Sequence, residues 1–270
     1  MHSDPDPCPR RGLPQPRTRR WLLQFRTAIF SLGAALALAQ AGLAQSVPVT
    51  VTRTMPPVIV IGFVGGFIKH DNLVHSEVQL AARLREAYPV GVDVETFESY
   101  HGERARKKVL TLLDTNHDGT LTSDEKQNGR IIIYGHSWGG SDAVALAREL
   151  EKDGIPVLLT IQVDSISKLH QNDALIPANV AQAANFYQPK GFLHGQSEIR
   201  AVDPARTRII GNFRFDYKAS PYNCGKYPWY DRIFGKAHTQ IECDPEVWKQ
   251  AESLIRLNLP PTKGTVALRR

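Results

Sequence analysis

The sequence predicts an α/β protein with a mostly parallel central sheet flanked by helices, on the strength of three observations. Short β-branched apolar runs recur at 57–61, 131–134 and 156–163. They are continuous, not alternating, as strands buried on both faces require. Stretches of helical period separate them, at 76–88, 102–113 and 141–152, and that alternation is the signature of an α/β layer architecture. At 131–147 the two kinds of segment meet through Gly135-His136-Ser137-Trp138-Gly139-Gly140, a strand, a tight turn and a helix in direct succession. A serine lifted clear of its backbone there needs glycine on both sides, because only glycine avoids the clash. The following helix N-terminus turns backbone N–H groups and a positive dipole end toward developing negative charge.

Length and apolar content suit one domain with a sizeable core. The formal charge of +6 over 270 residues is misleading. Residues 1–44 supply +4 of it, six arginines against Asp4 and Asp6. The remainder is too nearly neutral to suggest a nucleic-acid partner. Residues 1–44 read as an export signal: a basic region ending at Arg26, an apolar Ala-rich run from Thr27 to Leu38, and small residues at Gly42 and Ala44. Thr18-Arg19-Arg20 loosely resembles a twin-arginine signal. The competing membrane helix is diluted by Gln40, Gly42, Gln45, Ser46 and Pro48, so no stable span is expected in the mature chain. A secreted or periplasmic location follows, with 45–56 as a linker and 57–258 as the folded domain. Cys8 departs with the signal, which leaves Cys224 and Cys243 as an even pair in an oxidising compartment. A disulfide is the default expectation. Closing such a loop of about twenty residues stabilises by roughly 3 kcal/mol on the chain-entropy model.

In chain order, the strand at 57–61 runs into the glycine-rich turn Gly62-Phe63-Val64-Gly65-Gly66. That turn is placed to supply a second oxyanion amide, from Phe63 or Val64, beside that of Trp138. A helix over 76–88 opens on a capping box of Ser76 and Gln79, and 90–97 is the next strand. His70, His75 and His101 have no spaced partners and read as loop or surface residues. The helix over 102–113 places Ala105, Val109, Leu112 and Leu113 on one side.

It ends in Asp114-Thr115-Asn116-His117-Asp118-Gly119-Thr120-Leu121-Thr122-Ser123-Asp124-Glu125. Asp114, Asn116 and Asp118 stand at loop positions 1, 3 and 5 of the EF-hand pattern, Gly119 at 6, the Thr120 carbonyl at 7 and Glu125 at 12. The stretch resembles EF-hand or dockerin calcium loops. Crowded hard oxygen donors of this kind imply a structural Ca2+. Only Lys126 to Gly129 separate it from the nucleophile strand, too few for a second full helix and hence for a sensor's opening motion.

After the elbow, Gly154 caps the helix, and the strand at 156–163 delivers Asp164 to the sheet edge where active sites form. A carboxylate there would hold a histidine tautomer. Asp173 and Asp203 are its rivals. Strands follow at 180–188 and 208–213. The aromatic segment 215–234 lacks core periodicity and reads as a loop capping an apolar site. His238 falls in a loop between the last strand and a helix capped by Asp244-Pro245 and running to Leu257, with His194 as the rival base. From 259 the chain reads as a disordered tail.

Taken together, the elbow, the Gly62–Gly66 turn, Asp164 and His238 resemble the α/β-hydrolase superfamily, particularly bacterial lipases and esterases. The resemblance implies Ser137 as nucleophile, His238 as base then acid, Asp164 as its orienting carboxylate, and Phe63 and Trp138 amides at the oxyanion. It departs from the lipase pattern in lacking a His-Gly opening to the oxyanion turn, and the calcium loop is an addition. The activity implied is hydrolysis of a small-molecule or lipid carboxylic ester. A thioesterase or acyltransferase would use the same triad, and a calcium-binding module without activity is the reading from another class.

Overall fold

A computed structural model describes residues 56–217, 222–227, 229, 232 and 235–261. The export signal, most of the linker, part of the aromatic segment and the chain beyond 261 lie outside the described residues. Six strands form one parallel sheet in the order β2-β1-β3-β4-β6-β8: β1 Val58–Phe63, β2 Asp93–Phe97, β3 Arg130–His136, β4 Val157–Val163, β6 Val180–Tyr187 and β8 Arg208–Arg214. A separate parallel pair, β5 Leu175–Ile176 with β7 Arg200–Ala201, is too short to carry a sequence signal. The helices are α1 Ser76–Ala87, α2 Gly102–Leu113, α3 Ser123–Asn128, α4 Trp138–Lys152, α5 Lys236–Cys243 and α6 Pro245–Leu257.

Period-two side-chain alternation divides the core into two layers. Val58, Val60, Ile132 and Tyr134 pack with Leu80 and Leu84 of α1 and Trp248 and Ile255 of α6. Ile59, Ile61, Ile131 and Ile133 face the other way, onto Val109 and Leu113 of α2 and Val144 and Leu150 of α4. Each such aliphatic side chain contributes about 1.5–3 kcal/mol on burial. That is why β1 is buried at every position and reads as an unbroken apolar run.

Several boundaries differ from the sequence expectation. His75, not Ser76, is the N-cap of α1, and no side chain caps it. Gln79 instead donates to the carbonyls of Leu73 and Val74. A turn with Gly91 at φ +83° delays β2 to Asp93. A capping box is present elsewhere: Thr122 accepts from the Glu125 amide, and the Glu125 carboxylate returns to the Thr122 amide, opening the short α3. The α4 helix begins at Trp138, directly after the serine. His238 stands on helix α5, not in a loop. Asp244 caps α6 as expected, with Pro245 in its first turn. Leu259, assigned by sequence to the tail, is buried against the α1/α6 layer. No described helix is long and apolar enough to cross a membrane.

Candidate active site

The register of the sheet brings the site together. His136 at the end of β3 pairs with Val163 at the end of β4, so Ser137 and Asp164 emerge side by side at the carboxyl edge. Ser137 donates its amide to the Val163 carbonyl at 3.0 Å and accepts from the Ile166 amide at 3.1 Å. Its backbone sits at φ 55°, ψ −126°, a strained conformation for a residue with a side chain. The turn closes so tightly that a Cβ on Gly135 would lie 2.2 Å from the Gly139 carbonyl oxygen, and one on Gly139 2.4 Å from that of Phe63. Both glycines are sterically required.

Asp164 is fully buried, also at positive φ. Its Oδ2 lies 2.7 Å from His238 Nδ1 and accepts from Gln188 Nε2 at 2.9 Å. Its Oδ1 accepts from the Gly195 amide at 2.7 Å and the Gln188 amide at 3.3 Å. Every lone-pair direction of the carboxylate thus meets a donor, which fixes its rotamer and compensates its burial. A carboxylate only accepts, so the proton at this contact resides on His238 Nδ1, and in the neutral imidazole Nε2 is the nitrogen with the free lone pair.

The rival residues go elsewhere. Asp173 is buried under the hydroxyls of Ser165 and Ser167. Asp203 caps a surface turn through the Ala205 amide, and His194 Nδ1 lies 3.3 Å from the Gly195 carbonyl. Gln188 and Gly195 had no signal in the sequence, because an amide donor serving a distant carboxylate follows no local spacing.

Ser137 and His238 line one apolar cavity of about 440 Å3, together with Gly65, Gly66, Trp138 and Leu193. Phe67 and Phe192 stand at its edge, 79% and 98% exposed. The glycine turn reaches the serine later than the sequence suggested. Phe63 is the last residue of β1 and does not line the cavity, and the Val64 amide is bonded to the Phe97 carbonyl. Gly65 and Gly66 border Ser137 and Trp138 instead: a Cβ on Gly65 would stand 3.6 Å from that of Ser137. The Gly65 amide donates to Glu77 Oε1 at 3.2 Å, which anchors the turn.

Behind His238 lies a second polar group that the sequence did not announce. His136 stacks on His238 with ring centroids 4.6 Å apart. His75 Nδ1 lies 2.6 Å from Glu242 Oε1, and His136 Nδ1 lies 3.6 Å from Glu242 Oε2 and 4.0 Å from Glu77 Oε1. All four residues are buried. His75 is therefore not the surface histidine that its sequence context suggested. Burial, reinforced by the charge of Glu242, pushes the Glu77 carboxyl up to about 8. Burial also holds the His136 imidazole well below its usual range, helped by His238 and His75.

The loop 114–125 is exposed and tightly wound. Asp114 accepts from the amides of Asp118 and Gly119, Asn116 from that of Asp118, and Asp118 from that of Thr120. Gly119 takes the left-handed turn at φ +81°. Glu125 accepts from Thr122 and Thr115, and those bonds, led by the Thr122 amide, hold its carboxyl at about 2. Cys224 and Cys243 form a disulfide with Cα atoms 6.0 Å apart, tying the middle of the aromatic segment to the end of α5.

A parallel sheet with a serine elbow at its carboxyl edge is the α/β-hydrolase architecture that the sequence resembles. No protein-family model and no curated protein sequence matches the chain significantly. Among solved structures it is similar to a YdeN-like hydrolase from Pectobacterium atrosepticum, with a TM-score of 0.36 and 12% identity over 75% of this chain and 94% of that one. It is also similar to a cutinase-like protein from Cryptococcus sp. (TM-score 0.41, 9% identity, 77% and 97% covered). A third is RedJ (0.32, 12%, 68% and 89%). The chemistry must be read from the residues themselves.

Proposed function

We propose that the protein is an exported serine hydrolase of carboxylic esters working through an acyl-enzyme. The observation that carries this reading is the union of a strained elbow serine and a histidine held by a buried, fully donor-satisfied carboxylate at the mouth of one apolar cavity. In the mechanism, His238 Nε2 takes the Ser137 proton as Oγ attacks the ester carbonyl. Asp164 stabilises the resulting imidazolium, and His238 returns the proton to the leaving alkoxide. Water then repeats the sequence on the acyl-serine. The Trp138 amide, at the first position of α4, is one oxyanion donor. The second comes from the Gly65–Gly66 turn, Gly66 being the better placed because the Gly65 amide already serves Glu77. The apolar lining suits an apolar acyl or alcohol part.

The disulfide supports export, since such bonds persist in oxidising compartments. The loop 114–125 is proposed as a structural Ca2+ site. Asp114, Asn116, Asp118, the Thr120 carbonyl and Glu125 are hard oxygen donors, and the loop already has its sharp turn at Gly119. When bound, the ion would offset the mutual repulsion of these carboxylates just before β3.

A fluorophosphonate probe tests the hydrolase reading. Labelling of the wild type and none of Ser137→Ala is expected. An unlabelled wild type, or equal labelling of the variant, refutes it.

A further inference from the structure

We propose that His75, Glu77, His136 and Glu242 form a buried binding site for one divalent transition-metal ion of the Zn2+ class. This site is independent of the hydrolase reading and separate from the calcium loop.

Its placement is specific. His75 is the N-cap of α1 and Glu77 lies in that helix's first turn, His136 ends β3, and Glu242 sits one turn after His238 on α5. Among the described residues, His75, Glu77 and Glu242 are the one group of three whose potential ligand atoms all fall within 4.8 Å of one another, and all three are buried. The second observation is His136. It is 2% exposed, neither ring nitrogen meets a partner at full hydrogen-bond geometry among the described residues, and Nδ1 lies 3.6 Å from one carboxylate and 4.0 Å from the other. Glu77 Oε2 is likewise buried without a hydrogen-bond partner. Orphaned polar atoms at such a place are costly and call for an explanation.

An ion supplies one. Two carboxylates and two imidazoles neutralise a divalent cation, so the loaded site would be uncharged inside the protein, whereas two bare carboxylates there repel. Imidazole nitrogens in a mixed N/O set favour zinc-like ions over Ca2+ or Mg2+, which prefer oxygen alone. Bonds of about 2 Å in a tetrahedral shell put ligand atoms roughly 3.3 Å apart. The contacts of His136 need to shrink by under 1 Å to meet that, and the 2.6 Å His75–Glu242 contact needs to open by a similar amount. His136 and Glu242 also line the cavity, which gives the ion its way in.

Such an ion would act by positioning. Glu77 anchors Gly65 of the turn beside Ser137, His136 precedes Ser137, and Glu242 shares α5 with His238. One ion would clamp the three elements that carry the site without itself touching the ester.

The test is a Co2+ titration of the full-length protein after it has been stripped of metal. Expected are a visible d–d absorption that saturates at a single equivalent, its displacement by Zn2+, and a rise in melting temperature on loading with Zn2+. Glu77→Gln and His75→Ala should lose the band, and Ser137→Ala and Asp114→Ala should keep it. The wild-type titration stands even if a cluster variant fails to fold. No saturable band in the folded wild type overturns the proposal and leaves a proton-sharing network. A band lost in Asp114→Ala, or retained in both cluster variants, places the ion elsewhere and overturns it equally. Intact fluorophosphonate labelling of a protein that binds no Co2+ would refute the metal site alone.

Discussion

His238 has a carboxylate arrangement on each side, and the two are finished to different degrees. In front, Asp164 is met by four donors at 2.7–3.3 Å, and none of its capacity is left over. Behind, Glu77 and Glu242 share a buried space with two imidazoles, and Glu77 Oε2 and both nitrogens of His136 lack hydrogen-bond partners. A satisfied buried charge orients a neighbour. Buried polar atoms left without a partner call for an explanation.

The largest expected effect falls on the front side. Asp164→Asn keeps the shape but can donate where it must accept, so it favours the wrong tautomer of His238. We expect kcat for a p-nitrophenyl ester to fall by on the order of 10^4, with KM little changed. If Asp173→Asn or Asp203→Asn had that effect instead, the assignment of Asp164 would fail.

Next comes the rear cluster. Glu242→Gln weakens the buried charge-assisted contact with His75, so it should destabilise the protein by about 1.5–3 kcal/mol. The measurement is the midpoint of urea unfolding, with an unchanged slope as the sign that the unfolded state is the same. The rate should fall less than for Asp164→Asn, because it is Asp164, not Glu242, that lies against His238 Nδ1. An equal loss of kcat with unchanged stability would erase the distinction drawn between the two sides.

The loop 114–125, proposed as a calcium site, is the exposed counterpart of the rear cluster. Chelation of Ca2+ should lower the melting temperature by a few degrees, the shift expected for about 1 kcal/mol in a domain of this size. Asp114→Ala should melt at one temperature with or without chelator. Equal melting of the wild type in both conditions would refute a structural ion there.

What was legible in the sequence was whatever is encoded locally. The elbow needs two glycines around a serine, the helix over 102–113 needs only its apolar spacing, and the loop 114–125 carries its donors within one turn of chain. The rear cluster joins residues 75, 77, 136 and 242, which only the strand order β1-β3-β4 and the seating of α5 bring together. No spacing rule reaches that far, and so His75 looked like a surface residue. The His238 helix was missed for a related reason. Lys236-Ala237-His238-Thr239-Gln240 is polar and short, and it is buried by tertiary packing that its own pattern does not advertise. Phe63, expected in the glycine turn, lies in the strand because β1 runs on through Gly62 and Phe63, where the glycine suggested a break.

A third carboxylate–imidazole arrangement, nearer the surface, sharpens the comparison with a smaller effect. Glu98 follows β2 and receives His70 Nδ1 on one oxygen and His101 Nδ1 on the other, each at 2.7 Å. Burial raises its carboxyl, but the hydrogen bonds from His70 and His101 outweigh it and hold the group at about 2, against an ordinary 4.5. The folded state therefore binds the proton less readily than the unfolded one. The associated stability is present above pH 4.5 and is lost as the pH falls through that value toward 2. Glu98→Gln should thus lower the melting temperature at pH 5.5 and do so far less at pH about 2, where the wild-type carboxyl is itself about half protonated and most of its pH-linked stability is gone. A variant penalty independent of pH would mean that Glu98 acts through packing and not through its charge. Glu98 would then stabilise in a different way from Asp164, which acts by accepting from His238 Nδ1.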